Sequence, residues 1–176
     1  MILTGNEIEK EVLSGKICIN PFNADLINPN SYNYRLGNIL HEVISNPIDS
    51  KKEVCFKKHK IGANGYLLKP GKLYLGHTFE TIGSDYYVTS LIGRSSVGRL
   101  GLFLQITADL GHIGAKHCWT LELEVVQPLR VYSHMKIGKV SFWVPTGKNI
   151  IKYDGKYAKH TIPHCSEMFL ELGVNK

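Results

Sequence analysis

The 176-residue chain contains no apolar run near the roughly 18 residues a bilayer-spanning helix requires, so no helical membrane span is expected within it. Its opening, "MILTGNEIEKEVL", turns acidic at once and lacks the charged-then-apolar order of a secretory signal. Cysteine is scarce. Cys18, Cys55, Cys118 and Cys165 lie far apart with no C-x-x-C, so reduced, partly buried thiols in a soluble cytoplasmic protein are expected. The formal charge is +6, yet the densest basic run, "SKKEVCFKKHK", is neither an arm nor a stripe. No aromatic–basic interleaving accompanies it, so nucleic acid is not the expected partner; a nucleotide would satisfy the same charge. Repeats and low-complexity segments are absent, and helix signals nearly so.

One helix start is legible. Thr4 followed by Glu7 has the spacing of a capping box, Ile8, Val12 and Leu13 supply an apolar face, and Gly15 ends the segment. Beyond it the chain reads as strands. "YLLKPGKLYLGHTFETI" predicts two strands around a Pro-Gly turn. "YYVTSLIG", "GLFLQITAD", "CWTLELEVV" and "KVSFWVP" are further β-branched or aromatic runs bounded by turns. Many short strands at close spacing predict one mainly β domain over residues 1–176, a sandwich or barrel. From Pro145 the lysine-rich pattern weakens, so 145–176 reads as a tail that orders against something else.

Two segments carry chemistry. "GRSSVGRLGL", Gly93 to Leu102, combines glycines that permit close approach, two hydroxyls and two permanent cations, the equipment for gripping phosphate. A glycine-rich surface turn with solvated arginines has the same composition. In "CWTLELEVV", alternation places Trp119, Leu121, Leu123 and Val125 on one face and Thr120, Glu122, Glu124 and Val126 on the other. Two glutamates on one face suit either a solvated surface or a polar cleft holding a general acid or base.

Together, "GRSSVGRLGL", the following "TA", "TLEL", the preceding "INPNSYNYRLG" and the later "MKIG" and "GKY" resemble the trimeric dCTP deaminase branch of the dUTPase-like superfamily. The resemblance runs over nearly the whole chain. It implies a distorted β-barrel or jelly-roll-like dUTPase fold with a short N-terminal helix, in a homotrimer whose active sites lie between subunits. The implied activity is deamination of dCTP to dUTP, with the tail closing over the site. Arg94, Ser95, Ser96, Val97, Gly98 and Arg99 would bind phosphate, Arg99 also standing near the reacting centre. Glu122 would be the general base, flanked by Thr120 and Leu121, whose backbone faces the base. Ala108 would offer its carbonyl to the pyrimidine, and Lys156 would reach a phosphate. Magnesium would sit on the triphosphate, with no metal held by the protein itself. The zinc deaminases carry H-x-E with P-C-x-x-C, and neither half occurs here.

The sequence also departs from the pattern it resembles. The "I-D-P-G-aromatic" loop is "GHIGA", with His112 in place of the aspartate and Ala115 in place of the aromatic residue. His160 stands where a glutamine is usual, Asn149 where a tyrosine is usual, and Asn33 where an aspartate is common; Tyr153 is a candidate substitute for the tyrosine. These changes crowd His112, His117, Cys118, His160, His164 and Cys165 into two segments, but adjacent His and Cys on a strand point to opposite faces. Two other readings stay open: an enzyme that also or instead cleaves the triphosphate, and a silent nucleotide-binding homotrimer.

Overall fold

The computed structural model describes residues 1–104, 108–147, 151–155, 157 and 161–172. It is mainly β, with fifteen strands numbered in chain order among the described residues. One five-stranded sheet runs β11 (Leu110–Gly111), β9 (Val88–Gly93), β15 (Lys136–Trp143), β3 (Ser31–Arg35) and β2 (Ile27–Asn28). A second runs β10 (Leu102–Leu104), β13 (Thr120–Val125), β7 (Tyr74–His77), β4 (Ile39–Val43) and β5 (Phe56–Lys60). A three-stranded sheet joins β1 (Ile17–Asn20), β8 (Thr81–Ser84) and β12 (Lys116–His117), and β14 (Leu129–Val131) pairs β6 (Tyr66–Leu68). Every sheet keeps two edges among the described residues, so the expected barrel takes the form of packed open sheets. Tyr32, Tyr34 and Phe142 from one large sheet and Leu40, Leu121 and Leu123 from the other meet in a single core.

The N-terminal helix α1 spans Gly5–Leu13, and Gly15, at φ 78°, turns the chain out of it. Thr4 occupies the N-cap, but its side chain makes no capping hydrogen bond. Glu7 pairs with Lys10 at 3.1 Å instead, and the Gly5 amide donates to the Pro29 carbonyl. The apolar face is also rotated from the expected one. Ile8 is buried and Val12 packs on the core, but Leu13 is exposed and Glu11 is buried, its carboxylate 3.1 Å from Lys16 Nζ. A buried carboxylate is tolerated where a cation reaches it.

The Pro70–Gly71 turn does not make the expected hairpin. β6 pairs with β14, whereas β7 lies between β13 and β4, so the turn carries the chain from one sheet to another. Beyond β7, Glu80 is fully buried. Its carboxylate accepts from Arg35 Nε at 2.6 Å and from the Arg35 amide at 2.9 Å. The Arg35 guanidinium lies 4.7 Å above the Phe79 ring, which in turn packs on His134. The nearby Thr78 hydroxyl donates to the Glu80 carbonyl and accepts from the Trp119 amide, fastening the β7–β8 connection to the start of β13. These bonds fix the strand that carries the candidate base.

Candidate active site

β13 alternates as its sequence predicts. Leu121, Leu123 and Val125 enter the core, while Thr120 and Glu122 face a cavity of about 510 Å³. Pairing sets the floor of that cavity, with Glu122 opposite Leu75 and Thr120 opposite His77. Burial pushes the Glu122 carboxyl above the ordinary carboxylate range, partly offset by a hydrogen bond from backbone. Glu124, the other glutamate of this face, is exposed.

One end of the cavity is polar and aromatic. Ala108, His112, Ala115, Thr120 and Tyr153 line it. His112 and Tyr153 stack with ring centroids 5.1 Å apart, and a second cavity of about 490 Å³ shares both residues as its wall. The fold therefore brings Tyr153 to the altered GHIGA loop. Gly114, at φ 92°, allows this approach: a Cβ there would lie 2.8 Å from Lys152 Cβ, and the Tyr153 amide donates to the Ile113 carbonyl at 2.8 Å. His117 also lines the cavity, its ring 4.3 Å from that of Trp119, whose indole N–H donates to the Ile82 carbonyl.

Residues of the tail form a roof. Tyr157, His164, Cys165 and Ser166 line the cavity; the His164 amide donates to Thr120 Oγ1 at 3.1 Å, and His164 Nε2 lies 2.7 Å from Glu167 Oε1. Segment 151–155 is tied down separately, because Asp85 meets Lys116 Nζ at 2.7 Å and Lys152 Nζ at 3.5 Å. The Lys116 hydrogen bond, outweighing desolvation, holds the Asp85 carboxyl below its usual range. Asp85→Ala is expected to speed proteolytic cleavage within 151–155 while leaving the unfolding midpoint nearly unchanged, as limited proteolysis beside a melting curve would show.

The segment expected to grip phosphate lies elsewhere. Ser95–Gly98 form a single helical turn, α2, anchored by buried Val97, and Arg94 Nη1 donates to the Lys136 carbonyl at 3.2 Å. Ser95, Ser96 and Arg99 are exposed, and none of Arg94 to Arg99 lines the cavity that holds Glu122. Leu121 contributes no side chain to the cavity, being buried on the opposite face. Asn33 is also remote: its buried amide donates to the Leu26 carbonyl and to Asn28 Oδ1. Lys156, His160 and Asn149 lie outside the described residues. Among the described residues no three His, Cys, Asp or Glu side chains gather in metal-binding geometry.

Sequence reasoning missed the other end of the cavity, where Val43, Ile48, Val54, Leu73 and Leu75 form an apolar wall. Alternation along β7 could have placed Leu73 and Leu75 on the face that Glu122 shares. No sequence signal joins them to Ile48 and Val54, which come from the connection after β4.

A half-buried carboxylate on the floor of a ligand-sized cavity, in a mainly β scaffold, fits an enzyme acting on a small molecule. Residues 2–144 match the family model described as dCTP deaminase-like. The "dCTP deaminase, dUMP-forming" of Hathewaya histolytica is 47% identical over 172 residues, 98% of this chain and 99% of that protein. The protein of the same description from Leptospira biflexa is 46% identical over 157 residues, 89% of this chain and 90% of its own. The chain belongs to the dCTP deaminase family. Its fold matches a solved 2'-deoxycytidine 5'-triphosphate deaminase from Agrobacterium tumefaciens with a TM-score of 0.66 at 19% identity, covering 82% of this chain and 48% of that one.

Proposed function

We propose that this enzyme deaminates dCTP and cleaves its triphosphate, giving dUMP, diphosphate and ammonia. The observation that carries the deamination reading is Glu122, held with a raised proton affinity beside Thr120, Ala108 and His112 in one cavity. Glu122 takes a proton from water as the oxygen bonds to C4 of cytosine. It passes that proton to N3, then takes the proton left on the C4 hydroxyl and gives it to the departing nitrogen, so that water's two hydrogens end on N3 and on ammonia. The expected product, dUTP, gives way to dUMP, since the relatives matched over nine-tenths or more of their length are named for forming dUMP. The loss of the loop aspartate at His112 is thus a poor guide to the product. In this reading His112 and Tyr153 flank the sugar, and Lys156 and His160 act from the tail.

Arg94, Ser95, Ser96, Val97, Gly98 and Arg99 bind the phosphates of a nucleotide whose base lies in a neighbouring subunit's cavity. The separation of this segment from Glu122 within one chain supports a homotrimer with shared sites. Magnesium would accompany the triphosphate, held through phosphate oxygens and water. Its chemistry is charge neutralisation at the phosphates. The silent-binder reading is disfavoured by the half-buried Glu122 facing the cavity.

Mixing two inactive variants tests both activity and assembly. Glu122→Gln and Arg99→Ala, unfolded together and reassembled at equal ratio, are expected to recover about a quarter of wild-type dCTP turnover. In a cyclic trimer one neighbour pair in four joins an intact Glu122 to an intact Arg99. No recovery places both residues in one chain's site, and no ammonia release by the wild type with dCTP and magnesium removes the deaminase reading.

A further inference from the structure

The cavity has more room than the nucleoside of the proposed substrate requires. A deoxycytidine unit fills roughly 250 Å³ at interior packing density, about half of the 510 Å³ present. The polar end, with His112, Tyr153 and Thr120, is the sugar side in the proposed function, on which this inference rests. Glu122 must lie at C4. In a pyrimidine, C4 is diametrically opposite N1, the atom that carries the sugar. A group on the exocyclic nitrogen therefore points directly away from the sugar, and a group on C5 leaves beside it. Both directions lead past Glu122 across Leu75, its opposite on β7, toward Val43, Ile48, Val54 and Leu73.

This end is a built wall. Val43 is buried in β4, and the connection 44–55 is closed at its base by the Ile44 amide donating to the Cys55 carbonyl and the Cys55 amide donating to Ser45 Oγ. The tail residues Cys165 and Ser166 complete its roof. A bare amine would leave such an apolar end filled only by water, while an alkyl group would displace that water favourably.

We infer that the enzyme accepts, and favours, cytosine deoxynucleotides bearing a small alkyl group on the amine edge of the base, at N4 or C5. Chemistry is unchanged and balances in either case. Water oxygen bonds to C4 and the C4–nitrogen bond breaks, with Glu122 relaying water's two protons in turn, one to N3 and one to the departing nitrogen. An N4-methyl substrate yields methylamine and the uracil nucleotide. A 5-methyl substrate yields ammonia and the thymine nucleotide. Each buried methyl is expected to raise kcat/KM about fourfold.

The full chain, with magnesium, is assayed on dCTP, 5-methyl-dCTP and N4-methyl-dCTP, with nucleotides and amines resolved by chromatography. Val54→Phe and Ile48→Phe fill the apolar end from the 44–55 connection. They are expected to lower kcat/KM for the favoured methylated substrate tenfold or more relative to dCTP. Preference for only one methylated substrate identifies the edge position that the wall serves. If dCTP is turned over and both methylated substrates are a hundredfold poorer, or if the phenylalanine variants weaken all substrates alike, the inference is overturned. Calorimetric binding of the same nucleotides to Glu122→Gln separates this from failure of the deaminase reading. Even without any turnover, tighter binding of a methylated nucleotide, lost with Val54→Phe added, sustains the inference, and equal or weaker binding ends it.

Discussion

Glu122→Gln is expected to bind dCTP nearly as well as the wild type and to deaminate it about a hundred- to ten-thousand-fold more slowly, the usual share of a general base. The amide keeps the shape of the carboxyl on the cavity floor but cannot accept the water proton. Burial raises the proton affinity of Glu122 in the folded chain, so its ionised form is populated only above the ordinary glutamate range near about 4.3. Wild-type kcat/KM should accordingly climb through an acid limb displaced upward from that value, and the limb should vanish in the variant. Stability moves the other way. A raised folded-state proton affinity contributes stability that is present below about 4.3 and lost as pH rises through the folded value. Glu122→Gln cannot ionise, so it should melt at a higher temperature than the wild type at neutral pH and at the same temperature near pH 3. Unchanged turnover would remove Glu122 from the mechanism, and an identical melting difference at both pH values would remove the burial argument.

The second large effect concerns stability alone. Glu80→Ala should cost about 3–5 kcal/mol, because it leaves the Arg35 guanidinium and the Arg35 amide without the carboxylate that both address. Glu80→Gln should cost less, since an amide oxygen still accepts one of these bonds. Urea unfolding at matched protein concentration reads both values, concentration being fixed because assembly contributes to apparent stability. A loss under about 1 kcal/mol for the alanine variant would mean that water replaces the carboxylate at this site. Damage should spread to β13, because Thr78 links the Glu80 carbonyl to the Trp119 amide.

What could be read from the sequence was local. The two-residue alternation of "CWTLELEVV" separated the core face of β13 from a polar face that suited solvent or a cleft, and "GRSSVGRLGL" suited either a phosphate grip or an exposed turn. The errors arose where distant residues decide. Leu13 looked like core, but Lys16 reaches the buried Glu11 carboxylate and the helix faces accordingly. Pro70–Gly71 signalled a turn correctly, but a turn does not specify which strands pair on either side of it. The apolar end of the cavity combines β4, β7 and the 44–55 connection, and no local period unites them. Tyr153 was a candidate from its place in the tail; its stacking on His112 required the fold.

The position of β15 has a consequence for how the chain is made. It lies between β9 and β3, with Lys136 opposite Arg35 and Val140 opposite both Tyr32 and Leu91. A nascent chain therefore carries β3 for some hundred residues before its partner leaves the ribosome. At about 5–20 residues per second, that wait lasts roughly 5–20 s. Throughout it β3, and for its second half β9 as well, presents an unsatisfied strand edge, the surface on which chains adhere to one another. Yield of soluble protein should consequently depend on chaperone supply and growth temperature more steeply than the stability of the finished fold would suggest, because the hazard ends only when β15 arrives.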